Sequence, residues 1–195
     1  MIAIVDYGAG NISSVKKALE SLGAEAQVTA DPEVIAAATK LVVPGVGHFS
    51  RCASLNQQLR RPVLEAIGQG KPFLGICVGM QWLFQGSTES PETPGAALFT
   101  GECSRFPAAV KSPHVGWNQV DLRGDSRLLG GIENHSFFYY THSYRAPIVE
   151  QTAASTEYGG EFSAAVERDN VFGVQFHPEK SGAAGLRILE NFYAL

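Results

Sequence analysis

Residues 73–82 run Phe-Leu-Gly-Ile-Cys-Val-Gly-Met-Gln-Trp, and the five in the middle constrain the fold more than any other stretch of the chain. An apolar run stops at a thiol, Cys77, held between Gly75 and Gly79, and a helix-like pattern follows. This is the cysteine form of the G-x-S-x-G nucleophile elbow. A sharp turn from strand into helix forces the nucleophile into a strained backbone conformation and leaves almost no room for neighbouring side chains. The turn sets the sulfur at a helix N-terminus, where negative charge is favoured, and aims the Val78 N–H at a developing oxyanion. An inert cysteine packed between glycines would give the same string, so the motif needs support from elsewhere.

That support lies about 100 residues on, in Phe172-Gly173-Val174-Gln175-Phe176-His177-Pro178-Glu179-Lys180. The apolar run predicts a strand, and Pro178 biases His177 toward an extended conformation. Residues two apart in an extended segment project to one side, so Glu179 is expected beside His177, fixing its tautomer and supporting its positive charge. The pattern predicts a Cys77–His177–Glu179 triad, with His177 taking the thiol proton and returning it to a leaving amine. A third block, Leu41-Val42-Val43-Pro44-Gly45-Val46-Gly47, is a short strand running into a glycine-flexible loop. Gly45, Val46 and Gly47 suit a backbone that donates N–H groups to an oxyanion, although a simple turn fits them too.

These blocks, in order, resemble the triad class (class I) of glutamine amidotransferases. The residues that narrow the likeness are Asp6-Tyr7-Gly8 with Gly10-Asn11, Pro113-His114-Val115-Gly116-Trp117-Asn118, His142-Ser143-Tyr144, and Gln175-Phe176-His177-Pro178-Glu179-Lys180-Ser181-Gly182. Within the class they are most similar to the glutaminase subunits of imidazole glycerol phosphate synthase, from histidine biosynthesis. The resemblance implies a flavodoxin-like fold, hydrolysis of the glutamine side-chain amide without a cofactor, and delivery of ammonia to a separate (β/α)8-barrel cyclase subunit. It implies glutamine binding by Gln81 and by the main chain of Ser143 and Tyr144, and places Trp117, Asn118 and Lys180 toward the partner. The chain departs from the family in Gly95-Ala96-Ala97-Leu98-Phe99-Thr100-Gly101, which keeps the outer glycines of a usually richer segment and has lost an inner one.

Composition fits a compact cytoplasmic enzyme. A chain of 195 residues, 45% hydrophobic, can bury one substantial core and is read as a single domain, 1–195. Its net charge of −4 offers no basic surface for nucleic acid. Cys52, Cys77 and Cys103 are too few and oddly numbered for a disulfide framework, so a reducing compartment is expected. Met1 leads straight into Ile2-Ala3-Ile4-Val5 with no basic leader, and no run reaches membrane-spanning length. The irregular spacing of His48, His114, His135 and His142 suggests no metal site, and Gly8 and Gly10 lack the third glycine of a dinucleotide fingerprint.

Along the chain the pattern predicts an α/β fold: a mostly parallel central sheet with helices on both faces, and antiparallel additions in the second half. Strands are expected at 2–5, around Val28, at 41–43 and at 73–76, with helices between them. Val15, Ala18, Leu19 and Leu22 recur at helical spacing, Asp31-Pro32-Glu33 starts a second helix, and a third over 55–67 is interrupted or restarted at Pro62. A helix is expected to begin at 78–84. The segments 115–122, 137–144, 152–158, 162–168 and 171–176 read as strands, with Asp169-Asn170 as a tight turn. The last helix, 183–193, is expected to bury Leu186, Leu189 and Phe192, and the glycine- and proline-bearing stretch 85–101 reads as a mobile loop.

Two other classes share these signals. A self-contained cysteine hydrolase on a related sheet would need no partner, and a catalytically silent binding subunit would keep the fold while losing the triad. Another amidotransferase branch would share the triad itself.

Overall fold

A computed structural model describes residues 1–195 of the protein. Short apolar runs form the parallel half of the sheet. Strands β1 (Ile2–Val5), β2 (Ala26–Thr29) and β3 (Lys40–Gly45) are joined by helices α1 (Ile12–Ser21) and α2 (Pro32–Ala37). Helix α1 buries Val15 and Leu19 and stops before Gly23, whose φ of 80° only glycine adopts easily. Helix α2 starts as its sequence predicts: the Asp31 carboxylate accepts from the Glu33 N–H at 2.9 Å.

The helical stretch 49–68 is continuous, not broken at Pro62. A 3₁₀ turn leads into α3 (Cys52–Ser54), a π turn spans Leu55–Leu59, and α4 (Arg60–Gly68) follows. The widened turn moves aside the carbonyls that a proline ring, with no N–H to offer, would otherwise meet.

Strand β4 (Phe73–Cys77) leads directly into α5 (Val78–Gln81), a single turn rather than the longer helix expected. The reason lies in the next loop. The carbonyls of Trp82, Leu83 and Phe84, which a longer helix would need, accept N–H donors from Ala96, from Leu98 and Phe99, and from Ala97. The 85–101 segment, read from sequence as a mobile loop, is therefore stitched to the elbow helix. Arg60 holds it further by donating to the Gly95 carbonyl at 2.8 Å, and Asn56 by donating to that of Pro94 at 2.7 Å.

Ala97 in this loop adopts a φ of 59° with an exposed side chain, in the segment that keeps its outer glycines and lacks an inner one. Left-handed backbone costs an alanine about 1–2 kcal/mol, partly offset by the greater chain entropy that glycine loses on folding. Ala97→Gly should stabilise the fold by up to about 1 kcal/mol. The check is the midpoint of urea unfolding; an unchanged or lower midpoint counts against strain at Ala97.

The second half supplies β5 (Gly86–Ser87), β6 (Glu102–Arg105), β7 (His114–Gln119), β8 (Asp121–Leu122), β9 (Phe137–His142) and β10 (Tyr144–Arg145). It continues with β11 (Thr152–Glu157), β12 (Glu161–Arg168), β13 (Val171–Val174) and the closing helix α6 (Gly182–Ala194). The main sheet has the order β2-β1-β3-β4-β13-β12-β11-β8. It is parallel from β2 to β13 and antiparallel from β13 to β8, so β13 continues the parallel half while β12, β11 and β8 are the expected antiparallel additions. The remaining strands do not join it: β7 pairs only with β9, and β10, β6 and β5 form a separate small sheet.

Helices α1 and α6 pack together, and α2 packs with α4, as expected for layers on opposite faces. In α6 the buried stripe is Gly185, Ile188, Leu189 and Phe192, and Leu186 is 39% exposed, against expectation. Gly185 sets the rotation, because a Cβ there would lie 2.0 Å from the Pro178 carbonyl oxygen. Burying Ile188 or Phe192 favours folding by roughly 1.5–3 kcal/mol each.

Candidate active site

The nucleophile elbow has the strained geometry that its sequence demands. Cys77 ends β4 with φ 55° and ψ −109°, a conformation side-chain-bearing residues rarely adopt. The flanking glycines permit close backbone approach. A Cβ on Gly79 would lie 1.8 Å from the Val43 carbonyl oxygen, and one on Gly75 would lie 2.5 Å from that of Gly79. Cys77 opens onto a cavity of about 230 Å³ whose wall includes Gly47, Val78, Gln81, Ser143 and Tyr144.

Behind the thiol the carboxy-terminal motif supplies a buried pair. His177 Nδ1 lies 2.9 Å from Glu179 Oε1, and both side chains are out of solvent. His177 is extended (φ −99°, ψ 95°), as Pro178 requires, but 178–180 form a 3₁₀ turn. That turn, rather than strand alternation, brings the carboxylate under the imidazole. The His177 N–H donates to the Tyr139 carbonyl at 2.9 Å, and Ser181 Oγ donates to the His177 carbonyl at 2.7 Å, fixing the backbone. His177 Nε2 is buried without a hydrogen-bond partner within the protein, and the Cys77 sulfur is its neighbour in charge. Burial pulls the imidazole down, but Cys77 and Glu179 outweigh it and raise His177 to about 10. For Glu179 burial works upward, and the His177 interaction together with the Asn11 side chain outweighs it, holding the carboxyl below its ordinary value.

Asn11 belongs to the site through a contact that its local sequence does not signal. Its amide donates to Glu179 Oε1 at 3.1 Å across 168 positions. A second such residue is Glu89, which lines the cavity and whose carboxylate accepts from the Phe49 N–H at 2.8 Å. Composition marks Glu89 only as part of a flexible stretch.

The other predicted site residues divide. Gln81 sits one turn after Cys77, and its Nε2 donates to the Tyr144 carbonyl at 2.8 Å and to Gln175 Oε1 at 3.0 Å. Of the glycine loop, Gly47 reaches the cavity; Val46 lines a neighbouring cleft with Gly8, Gly10 and Arg51. Gly45 lies under the elbow, close to the Tyr7 hydroxyl and Val78. Trp117 is 55% exposed and Lys180 is exposed, the ammonium lying 5.8 Å from the Tyr139 ring centre and Trp117 edge-on to that ring at 6.1 Å. Asn118 differs from expectation, because strand alternation turns its side chain inward, onto His114 and the Glu157 carbonyl. Cys52 and Cys103 are buried outside the cavity, and burial pushes the Cys52 thiol up to about 12 and that of Cys103 up as well. No group of three or more His, Cys, Asp or Glu side chains is arranged to hold a metal, and no helix is long and apolar enough to cross a membrane.

Two further histidines are buried and neutral beside the cavity. Burial lowers His142 to about 3 and His114 to about 4, from an ordinary 6.5. Below pH 6.5 the unfolded chain binds protons that these two rings refuse when folded. Their contribution is therefore complete above pH 6.5 and is lost as the pH falls toward 4 and 3, by a few kcal/mol in order of magnitude. Urea unfolding from pH 8 to pH 4.5 should show stability falling below pH 6.5, and less steeply in a His114→Phe variant. Identical acid slopes would refute the assignment.

Comparison with known proteins gives consistent matches. Residues 3–195 match the family "Glutamine amidotransferase class-I". The chain is 49% identical over 193 residues to "Imidazole glycerol phosphate synthase subunit HisH" of Methanothermobacter thermautotrophicus, covering 98% of this chain and 97% of that protein. It is 48% identical to the protein of the same name from Thermococcus kodakarensis, with both chains fully covered. Among solved structures, a crystal structure of a glutamine amidotransferase superposes with a TM-score of 0.74 at 20% identity, covering 99% of this chain and 100% of that one. The structure of PurLQS from Thermotoga maritima gives 0.76 at 19% identity, with 99% and 97% covered. These two likenesses concern the fold.

Proposed function

Since the chain belongs to the class I glutamine amidotransferases, and within them to the HisH subunits of imidazole glycerol phosphate synthase, we propose that the Cys77 cavity releases ammonia from glutamine for a separate cyclase subunit. The observation that carries the reading is the line cavity–Cys77–His177–Glu179–Asn11: Cys77 opens onto the cavity beside His177, His177 bonds Glu179, and Asn11 donates to the same carboxylate.

Cys77 Sγ attacks the side-chain carbonyl carbon of glutamine, and its proton passes to His177. The oxyanion is met by the Val78 N–H and by a donor from the loop of Gly45, Val46 and Gly47. His177 then protonates the departing nitrogen, which leaves as ammonia, and a glutamyl thioester remains on Cys77. Water activated by His177 hydrolyses it to glutamate, and the thiol recovers its proton. Glu179 keeps the imidazole in the tautomer that leaves Nε2 toward the sulfur and supports its positive charge. On the cavity wall the Glu89 carboxylate suits the α-ammonium of glutamine. Gln81, Ser143 and Tyr144 form the wall that orients the rest of the substrate. No cofactor is called for.

Ammonia at cytoplasmic pH is largely protonated and unreactive, so handing it directly to an acceptor has chemical value. The exposed face of the β7–β9 ribbon, with Val115, Trp117 and Phe137 more than half exposed and Lys180 at its border, is an apolar surface suited to a second subunit. We assign it to the (β/α)8-barrel cyclase, which would use the ammonia to form imidazole glycerol phosphate and an aminoimidazole carboxamide ribotide. The single unit 1–195 would then be the glutaminase, acting in the cytoplasm.

The loop of Gly45, Val46 and Gly47 presents only Gly47 to the cavity, which fits an oxyanion site incomplete without the partner. One missing oxyanion donor lowers the rate by roughly 10²–10³. Glutamate release is therefore expected to rise by about that factor from the isolated chain to the complex carrying an acceptor analogue. Equal rates for the chain, the complex and the complex with analogue would favour a stand-alone hydrolase.

A further inference from the structure

Beneath the exposed β7–β9 face runs a line of hydrogen bonds that permits only one polarity. It starts at the Tyr144 carbonyl on the cavity wall, a group that only accepts. His142 Nδ1 lies 2.8 Å from that oxygen and must carry the proton. His142 Nε2 is then a bare acceptor, and His114 Nδ1, at 3.1 Å, must donate to it. That leaves His114 Nε2 bare, with the Asn118 amide nitrogen 3.4 Å away as its donor. The same amide donates to the Glu157 carbonyl at 3.1 Å, so its orientation is set from both sides.

We propose that Asn118, His114 and His142 form an oriented relay through which the partner-facing strand sets the position of the Tyr144 main chain in the glutamine site, with His114 and His142 as positioning residues. The proposal rests on reading the Cys77 cavity as the glutamine site. Three features make the line a positional link. It ends on a carbonyl, so it cannot pass a proton through. Its middle ring is clamped: His114 stacks on Tyr158 at 4.0 Å and 16° and on Tyr140 at 4.9 Å and 22°, so it moves with its neighbours or not at all. Its outer end is on β7, where Trp117 faces solvent and the next residue, Asn118, faces His114. Since β7 pairs in a ladder only with β9, a subunit pressing on Trp117 acts first on this two-stranded ribbon, and through Asn118 on the histidine line. At the inner end His142 and Gln81 both donate to the Tyr144 oxygen, occupying its two lone pairs.

The test has two readouts. Nitrogen-15 spectra of the histidine rings at pH 7 should show both His142 and His114 neutral and protonated at Nδ1. Protonation at Nε2 in either ring overturns the relay. In the complex with the cyclase subunit, His114→Phe keeps the aromatic stack and removes both hydrogen bonds. It should raise the KM for glutamine about tenfold, leave kcat within about twofold, and leave the rate of Cys77 alkylation by iodoacetamide unchanged. An unchanged KM overturns the proposal, as does a parallel fall in alkylation rate and melting temperature. If the wild-type complex released no glutamate from glutamine, the reading of the cavity would fall instead, and the spectra would still decide whether the relay exists.

Discussion

Cys77→Ser is expected to lower glutamine-dependent glutamate release by roughly 10⁴–10⁶ while leaving the fold in place. Serine is nearly isosteric, so the clearances at Gly75 and Gly79 do not change, and the left-handed backbone at position 77 is met equally by either residue. What is lost is a sulfur nucleophile beside an imidazole already disposed to hold its proton. Synthesis driven by externally added ammonium salts should persist in the complex, because on the proposed reading the acceptor chemistry lies on the partner. An electrophilic glutamine analogue followed by peptide mapping identifies the nucleophile directly. A label on Cys52 or Cys103 would defeat the assignment, and both are buried thiols that face no cavity.

The second large effect concerns the pair behind the thiol. His177→Ala removes the group proposed to move the proton in both half-reactions and should be at least as damaging as Glu179→Gln, for which a loss of roughly 10²–10⁴ is expected. The glutamine variant keeps an acceptor for Asn11 but withdraws the negative charge that helps raise His177 to about 10. The imidazolium is then lost at lower pH. The alkaline limb of the kcat profile should therefore move downward in Glu179→Gln, and a limb that stays in place would deny Glu179 its electrostatic role. Near-wild-type turnover by a folded, partner-bound His177→Ala variant would remove His177 from the mechanism.

The parts of this site legible in the sequence are those where chemistry dictates residue type at short range. Gly75 and Gly79 are required by backbone clearances of a few ångströms, and Pro178 sets the backbone of the residue it follows. Strand placement in the parallel half was legible for the same reason, since buried strands need apolar runs. Asn11 and Glu89 escaped because their roles exist only once distant segments meet, and nothing local distinguishes an asparagine at a helix start from one that steadies a carboxylate 168 positions away. The single turn of α5 was hidden for a related reason. Val78 to Phe84 is an acceptable helical pattern, but Leu83 and Phe84 donate three residues back, to Met80 and Gln81, and the donors of Ala96 to Phe99 take the carbonyls that any further turn would use. In α6 the choice between Leu186 and Ile188 hung on one contact, Gly185 against the Pro178 carbonyl. Asn118 was placed correctly in its strand, but which side it faced depended on a register the apolar pattern of β7 does not fix.

The position of β13 in the sheet has a consequence for how the protein is made. This strand, near the carboxy-terminal end, is inserted between β4 and β12. Until it arrives, the strand that carries Cys77 is an open edge, with Phe73 to Ile76 offering unpaired backbone groups on one side. A growing chain can assemble β2, β1, β3 and β4 early, yet it has neither His177, the proposed general base, nor a closed sheet until residues 171–179 leave the ribosome. The thiol is thus born without its histidine, and the same late segment that shields the sticky edge also delivers the proposed base. Protection from aggregation and completion of the proposed triad become a single event in biosynthesis, and a product of premature termination is at once without that triad and exposed to capture by other strands.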